Sequence, residues 1–230
     1  PAPYSAPSAY YFPTMGRMES IEVLKGAASV KYGPRTTGGV LNLLSRSLPT
    51  EPNSSTGMLD AALGSDGYYK GHAYFAKEKN NTAGLIEVFT YGADGFKDLP
   101  VGDDNTGFEK TDLLLKLGHT FGKNDAHNLE LKIKYSDETS DKTYMGLTDA
   151  DYQATPYRRY AASQNDEMNT RHNAYQLNYA YRFGAGYELL ATAYLNDFHR
   201  NWYKASKVSE SYLEQYSEFE ANPTAQGIEG

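Results

Sequence analysis

Cysteine is absent from the 230 residues, which excludes disulfides, thiol nucleophiles and thiolate-bound zinc. No run of 18 apolar residues occurs, so no transmembrane helix is encoded. Basic charge is in deficit, with 22 Lys and Arg against 29 Asp and Glu and a net charge of −7. That balance argues against binding a nucleic-acid backbone. The five histidines, His72, His119, His127, His172 and His199, are scattered, with no two at i, i+4, and suggest no metal pair. Nucleophile-elbow, phosphate-loop and dinucleotide motifs are missing, so the chain reads as a non-enzyme. What is plentiful is tyrosine, 21 copies beside nine Phe and a single Trp. Mean hydropathy is low at −0.66. A β-barrel tolerates that value, because only every second strand residue meets lipid.

The first 14 residues hold four prolines and read as an irregular, exposed loop. A compact unit follows from Arg17 to Arg46. Ile21-Glu22-Val23-Leu24 reads as a short buried strand, and Gly26 stops it. Ala27–Lys31 has room for one or two helical turns, and Gly33-Pro34 is a turn pair. Gly38-Gly39 permits close backbone approach or positive φ, and Val40–Leu44 is a second strand. At about 30 residues the unit is too small to be stable alone. Leu48–Ser55 is a linker rich in Pro and Ser, placing a domain boundary near residue 50.

Beyond the linker the hydrophobic period becomes two. Leu113, Leu115 and Leu117 alternate with mainly polar residues. So do Leu129, Leu131, Ile133 and Tyr135, then Tyr175 through Phe183, then Leu189 through Leu195. Thr56–Gly64, Tyr68–Glu78 and Thr82–Ala93 are strands of weaker alternation. Connections sort by length. Lys79–Asn81, Gly122–Ala126 and Gly184–Gly186 are short. Asp94–Phe108, Ser136–Thr170 and Arg200–Gln226 are long, with Ser65-Asp66 the short exception on that side. Short turns at one end and long loops at the other is the arrangement of outer-membrane barrels. Seven strands and the start of an eighth predict a wider barrel, since closure at eight leaves room only for side chains.

Ile21–Gly26, Tyr32-Gly33 and Gly38-Gly39-Val40-Leu41-Asn42 resemble the C-terminal half of the plug domain of TonB-dependent outer-membrane receptors. Ala27 departs from the commoner Pro, and Lys31 from the commoner apolar residue. The resemblance implies a mainly β fold: a partial transmembrane antiparallel β-barrel, seven or eight strands of about 22, preceded by the end of an α/β plug. Residues 1–49 would be plug and 50–230 barrel, the chain being a piece of a longer protein. It further implies a Gram-negative outer-membrane active transporter driven by TonB through an N-terminal segment outside this chain. No covalent chemistry and no resident cofactor are implied, iron entering only as transported chelate. The favoured cargo is ferric citrate or a carboxylate siderophore. Another siderophore or cobalamin is the alternative, followed by a plug-less porin, an outer-membrane enzyme or a secreted carbohydrate-binding β-domain.

Two groups of residues stand out as candidate sites. Gly146–Tyr152 with Pro156-Tyr157-Arg158-Arg159 is similar to an extracellular loop of ferric-citrate receptors, and Ala2–Pro7 to their plug apex. The resemblance makes Tyr4, Tyr157, Arg158, Arg159 and Gln164 substrate contacts. Arg presents a planar fork to carboxylates, and Tyr adds apolar area with a hydroxyl. The alternative is a solvated loop whose arginines pair with nearby acids. Arg17, Glu19, Glu22, Lys25, Arg35 and Arg46 are the plug charges expected to meet the barrel wall. The loop acids Asp137, Glu138, Asp141, Asp149, Asp151, Asp166 and Glu167 lack EF-hand spacing, and read as solvated or bridged to lipopolysaccharide through divalent cations. Tyr68, Tyr69, Tyr91, Tyr135 and Tyr187 are expected in the aromatic girdles that face lipid.

Overall fold

A computed structural model describes residues 12–27, 30, 38–102, 105–184 and 186–205. Tyr4, Arg35, the turn at Gly33-Pro34 and most of the segments 1–14, 27–31 and 200–226 lie outside these residues. Strands β1 (Met18–Leu24) and β2 (Val40–Ser45) pair antiparallel, with Ile21 opposite Leu43 and Leu24 opposite Val40. Gly39 takes a φ of 114° just before β2, where an added Cβ would meet the Leu24 carbonyl at 2.9 Å, so its glycine is required.

Seven further strands form one antiparallel meander in chain order. They are β3 (Ser55–Leu63), β4 (Tyr69–Lys79), β5 (Thr82–Ala93), β6 (Phe108–Phe121), β7 (His127–Asp141), β8 (Glu167–Phe183) and β9 (Tyr187–Tyr203). The fold is thus mainly β. Turn chemistry fixes its register: Asn80 and Asn81, at φ 54° and 61°, close the two-residue hairpin between β4 and β5.

The register sorts side chains cleanly. One face carries continuous rungs such as His72, Phe89, Asp112, Ser136 and His172, and Tyr74, Glu87, Leu114, Lys134 and Ala174. Arg17, Arg46 and Leu48 of the N-terminal segment pack on this inner face. Its small apolar centre is Ala76, Leu85 and Leu114, with Leu48 of the linker against it. The opposite face is apolar and open: Leu59 is 82% exposed, Ile86 57% and Leu195 63%. A single-sided apolar wall of this extent needs a nonaqueous neighbour. No helix among the described residues is long and apolar enough to cross a membrane.

Three sequence expectations need correcting. The Ile21–Leu24 strand is not buried: Ile21 is 52% and Val23 60% exposed, because no second layer among the described residues covers that side of the two-stranded ribbon. The loop between β7 and β8 is shorter than Ser136–Thr170. The ladder runs on to Asp141 opposite Glu167, through residues polar on both faces, where alternation carries no signal. Tyr91 belongs to the inner face, packing edge-on between Phe89 and Phe108 at 5.5 and 5.3 Å. The outer face at the short-turn end does carry an aromatic row. His127 stacks on Tyr181 at 4.4 Å and Phe183 on Tyr187 at 5.8 Å.

Candidate functional site

The first site is a charged seam between the N-terminal segment and the wall. A 3-10 turn at Met15–Arg17 precedes β1 and sends Arg17 into the sheet. Gly16 makes this approach possible, since a Cβ there would lie 2.9 Å from the Phe89 ring. The Arg17 guanidinium stands 3.7 Å from Glu87 and 3.6 Å from Asp112, and all three side chains are essentially buried. Glu87 also holds His72 through Nε2 at 2.8 Å. These are loose ion pairs. Arg17 Nε and Nη1, Glu87 Oε2 and both Asp112 oxygens make no hydrogen bond. Arg17 thus meets the two carboxylates by charge attraction, without the geometric locking that bidentate hydrogen bonds give.

The other charges of the N-terminal segment behave differently. Arg46 meets the wall through the Tyr74 ring, its guanidinium 3.8 Å from the centroid. Glu19 accepts from the Ser47 hydroxyl at 2.8 Å and amide at 2.9 Å, and the hydroxyl bond holds its carboxyl below the usual Glu range. Glu22 accepts from Asn42 across the ribbon at 2.8 Å. Lys25 is exposed at the end of β1. The seam therefore rests on Arg17 and Arg46. Its wall partners Glu87 and Asp112 went unpredicted, although a carboxylate inside an otherwise apolar strand run is a signal of an inward-facing position.

The second site lies at the long-loop end. Segments 94–102 and 142–166 dock on each other: the Asp98 amide donates to the Tyr157 carbonyl at 3.0 Å, and the Arg159 amide to the Asp98 carbonyl at 2.8 Å. Tyr157 meets Phe96 edge-on at 5.9 Å and stays exposed. The Arg159 guanidinium donates to the carbonyls of Pro156 and Arg158 at 3.0 and 2.6 Å, so it orders its own loop rather than pairing with an acid. Gln164 is exposed, its amide closing a turn on Ala161. A short helix α1 (Asp149–Ala154) opens on Thr148, whose hydroxyl accepts from the Asp151 amide at 3.2 Å. The Thr148-x-x-Asp151 spacing is the capping signature that marks this helix in the sequence.

Beside these loops is a corner that sequence reasoning missed. Buried Asp166 accepts from the amides of Tyr144 at 3.1 Å and Ala205 at 2.6 Å, tying the tops of β7 and β9 together. Tyr144 and Trp202 then meet edge-to-face at 5.7 Å, and the Lys204 ammonium sits 3.4 Å from the first ring and 4.1 Å from the second. Lys97 reaches Thr143 at 2.9 Å. Burial, with Arg159 and Lys142 nearby, pushes the Lys97 ammonium below the ordinary lysine range. Cations held close by fixed partners make an anion-attracting surface. The loop acids serve separate structural ends, Glu138 pairing Lys110 at 3.0 Å for example. No three His, Asp or Glu groups gather into a metal site among the described residues.

Residues 2–40 match the TonB-dependent receptor plug domain. Over 127 residues, 54% of the chain, the sequence is 32% identical to the vitamin B12 transporter BtuB of Photobacterium profundum. The structure resembles the ferric citrate transporter FecA in its unliganded form (TM-score 0.65, 20% identity, 84% of this chain). It also resembles the FrpB iron transporter of Neisseria meningitidis (TM-score 0.61, 19% identity, 81% of this chain). The siderophore receptor PiuA of Acinetobacter baumannii is similar too (TM-score 0.61, 17% identity, 82% of this chain). The chain spans 20% of the length of the BtuB relative and 28%, 30% and 27% of the three structures in turn. At these identities the structures show a shared fold.

Proposed function

We propose that this chain is the end of a plug, to about residue 49, and the first wall strands of a TonB-dependent outer-membrane receptor. The observation that carries this reading is the pairing of two features in one sheet. One face holds a charged seam to the segment that matches the plug, and the other is an open apolar wall with an aromatic row at its short-turn end. Lipid satisfies the open wall; the short-turn end then lies in the periplasm and the docked loops lie outside, against lipopolysaccharide. TonB pulls through a segment that precedes this chain, and the loose seam suits a contact that holds at rest and releases under load. No covalent step and no resident cofactor belong to the cycle.

The cargo in this reading is an anionic ferric chelate, ferric citrate or a carboxylate siderophore. The cationic, aromatic loop cluster supports it: Arg158, Arg159 and Tyr157 on one side, Lys97 and the Tyr144–Trp202–Lys204 corner on the other, with Tyr4 and Gln164 as further contacts. A cobalamin cargo is the second reading, favoured by the likeness to BtuB. Cells carrying the full-length receptor decide between them when offered ferric citrate, other ferric siderophores and cobalamin. The first reading predicts saturable ferric citrate binding that weakens about tenfold or more in the Arg158→Ala, Arg159→Ala double variant. Cobalamin binding without ferric chelate binding selects the second reading, and chelate binding unchanged in the variant removes these arginines from the site.

A further inference from the structure

A cavity of about 350 Å³ lies between the N-terminal segment and strands β7 to β9 on the inner face. Among the described residues, four basic side chains line it, Arg17, Lys132, Lys134 and His172, beside the amides Gln176 and Asn196, and no carboxylate does. Lys134 is 7% exposed and Arg17 2%. Withdrawing a cation from water is strongly unfavourable unless an anion or a full set of acceptors takes the place of the water. Arg17 has its own counter-charges in Glu87 and Asp112, and Asp112 also lies within electrostatic reach of Lys134, but no hydrogen bond or ion pair from a carboxylate to Lys132 or Lys134 is seen among the described residues.

The sheet register sharpens the imbalance. Lys116 stands directly opposite Lys132, and Lys134 follows on the same face of β7. Like charges set opposite each other cost stability and persist where something compensates. His172 adds no compensation. Its Nδ1 meets Lys134 Nζ at 3.3 Å and its Nε2 meets Asn196 Oδ1 at 3.3 Å. An ammonium only donates, so Nδ1 accepts and Nε2 donates, which is the neutral imidazole. His172 thus fixes the Lys134 ammonium, which lines the cavity. Arg17 Nε and Nη1, buried at the same cavity, carry no hydrogen bond.

We propose that this cavity is an interior anion site, taking carboxylate or phosphate oxygens on Lys132 and Lys134. Resting on the transport reading above, it is a station that the chelate's carboxylates reach after leaving the outer loops, when the plug shifts. Rings of Lys and Arg serve anion passage in this way because each trades the ion's water for a fixed charge.

The test uses the full-length receptor in outer membranes, with ferric citrate and inorganic phosphate as probes. Variants are Lys132→Gln with Lys134→Gln, Lys132→Gln alone in case the double variant does not assemble, and Lys134→Arg. On de-energised cells, surface binding of ferric citrate stays within about twofold of wild type, which also reports correct assembly. On energised cells, uptake falls about fivefold or more in the double variant and about twofold in Lys132→Gln, and Lys134→Arg retains it. On purified receptor, citrate and phosphate bind to wild type at a saturable site that the double variant weakens about tenfold. Phosphate binding without any effect on uptake keeps the anion site and overturns its role as a station. Unchanged uptake together with unchanged anion binding overturns the inference and leaves the transport reading standing. A wild type that imports no ferric chelate overturns the ferric-chelate reading of the cargo, and the anion titrations then decide the site alone.

Discussion

Replacing Arg17 by Met leaves Glu87 and Asp112 as buried carboxylates without their cation. At separations of 3.7 and 3.6 Å, each contact supplies roughly 4–5 kcal/mol of Coulomb attraction at an effective dielectric of about 20. Desolvation of the three ions, several kcal/mol each, offsets most of this, so the seam adds little net stability. Removing one member is another matter, because an uncompensated buried charge costs about 3–5 kcal/mol. Proton uptake by one carboxylate limits the loss, so the low end, about 3 kcal/mol, applies. That equals roughly a hundredfold rise in the open population of the β1–β2 ribbon. Amide hydrogen exchange on the full-length protein measures it, reading β1 and β2 against β5 to β7. The expected result is faster exchange in the ribbon with the wall unchanged. The triple variant Arg17→Met, Glu87→Gln, Asp112→Asn removes all three charges together and should recover most of the protection. Ribbon exchange within about threefold of wild type in the single variant, or a triple variant as unprotected as the single, would refute the reasoning.

Asp166→Ala removes two hydrogen bonds to an ionised acceptor, worth about 1.5–3 kcal/mol each, and should release the Tyr144–Trp202 corner. Trp202 is the sole tryptophan of the chain, so a rise in iodide quenching of its fluorescence reports the change in a full-length receptor whose other tryptophans are replaced; constant quenching counts against the staple. Acid should loosen the loop that carries α1. The Tyr160 hydroxyl first, and the Thr148 hydroxyl next, hold the Asp151 carboxyl below the usual Asp range. A depressed carboxyl stabilises fully above its unfolded value, about 3.9, and loses that contribution as pH falls through the folded one. Protease sensitivity of segment 142–166 should therefore rise as pH drops below that value, and Asp151→Asn should flatten the profile. The Asn80→Ala, Asn81→Ala variant forces two Cβ-bearing residues without local hydrogen-bonding side chains into left-handed backbone, at about 1–2 kcal/mol per residue. A lowered urea midpoint for barrel refolding, restored by Gly at both sites, is the expected reading.

The wall was legible in the chain because one face packs on the N-terminal segment and the other is open and apolar, and a period of two survives wherever that division holds. Leu113 to Leu117 and Leu129 to Tyr135 lie in β6 and β7 as the alternation requires. The same signal faded at Ser136–Asp141, where the ladder rises past the apolar band and both faces are polar. Lys132 and Lys134 occupy polar positions of that alternation, so their inward direction was readable, but their meeting with Arg17 and His172 around one cavity was not. Arg17 was marked as a charge that meets the wall, whereas its partners sit on two strands distant in sequence.

Composition, period and turn residues by themselves determined that this is a β protein with a small strand-turn-strand unit ahead of a meander of long strands. Those are local properties: each depends on side chains within a few positions of one another along the chain. The tertiary structure alone decided which charges meet, that Asp166 joins the ends of two strands, and that four basic groups share one cavity. Such contacts arise from register between distant strands, and a shift of one residue in that register would turn every one of them to the opposite face.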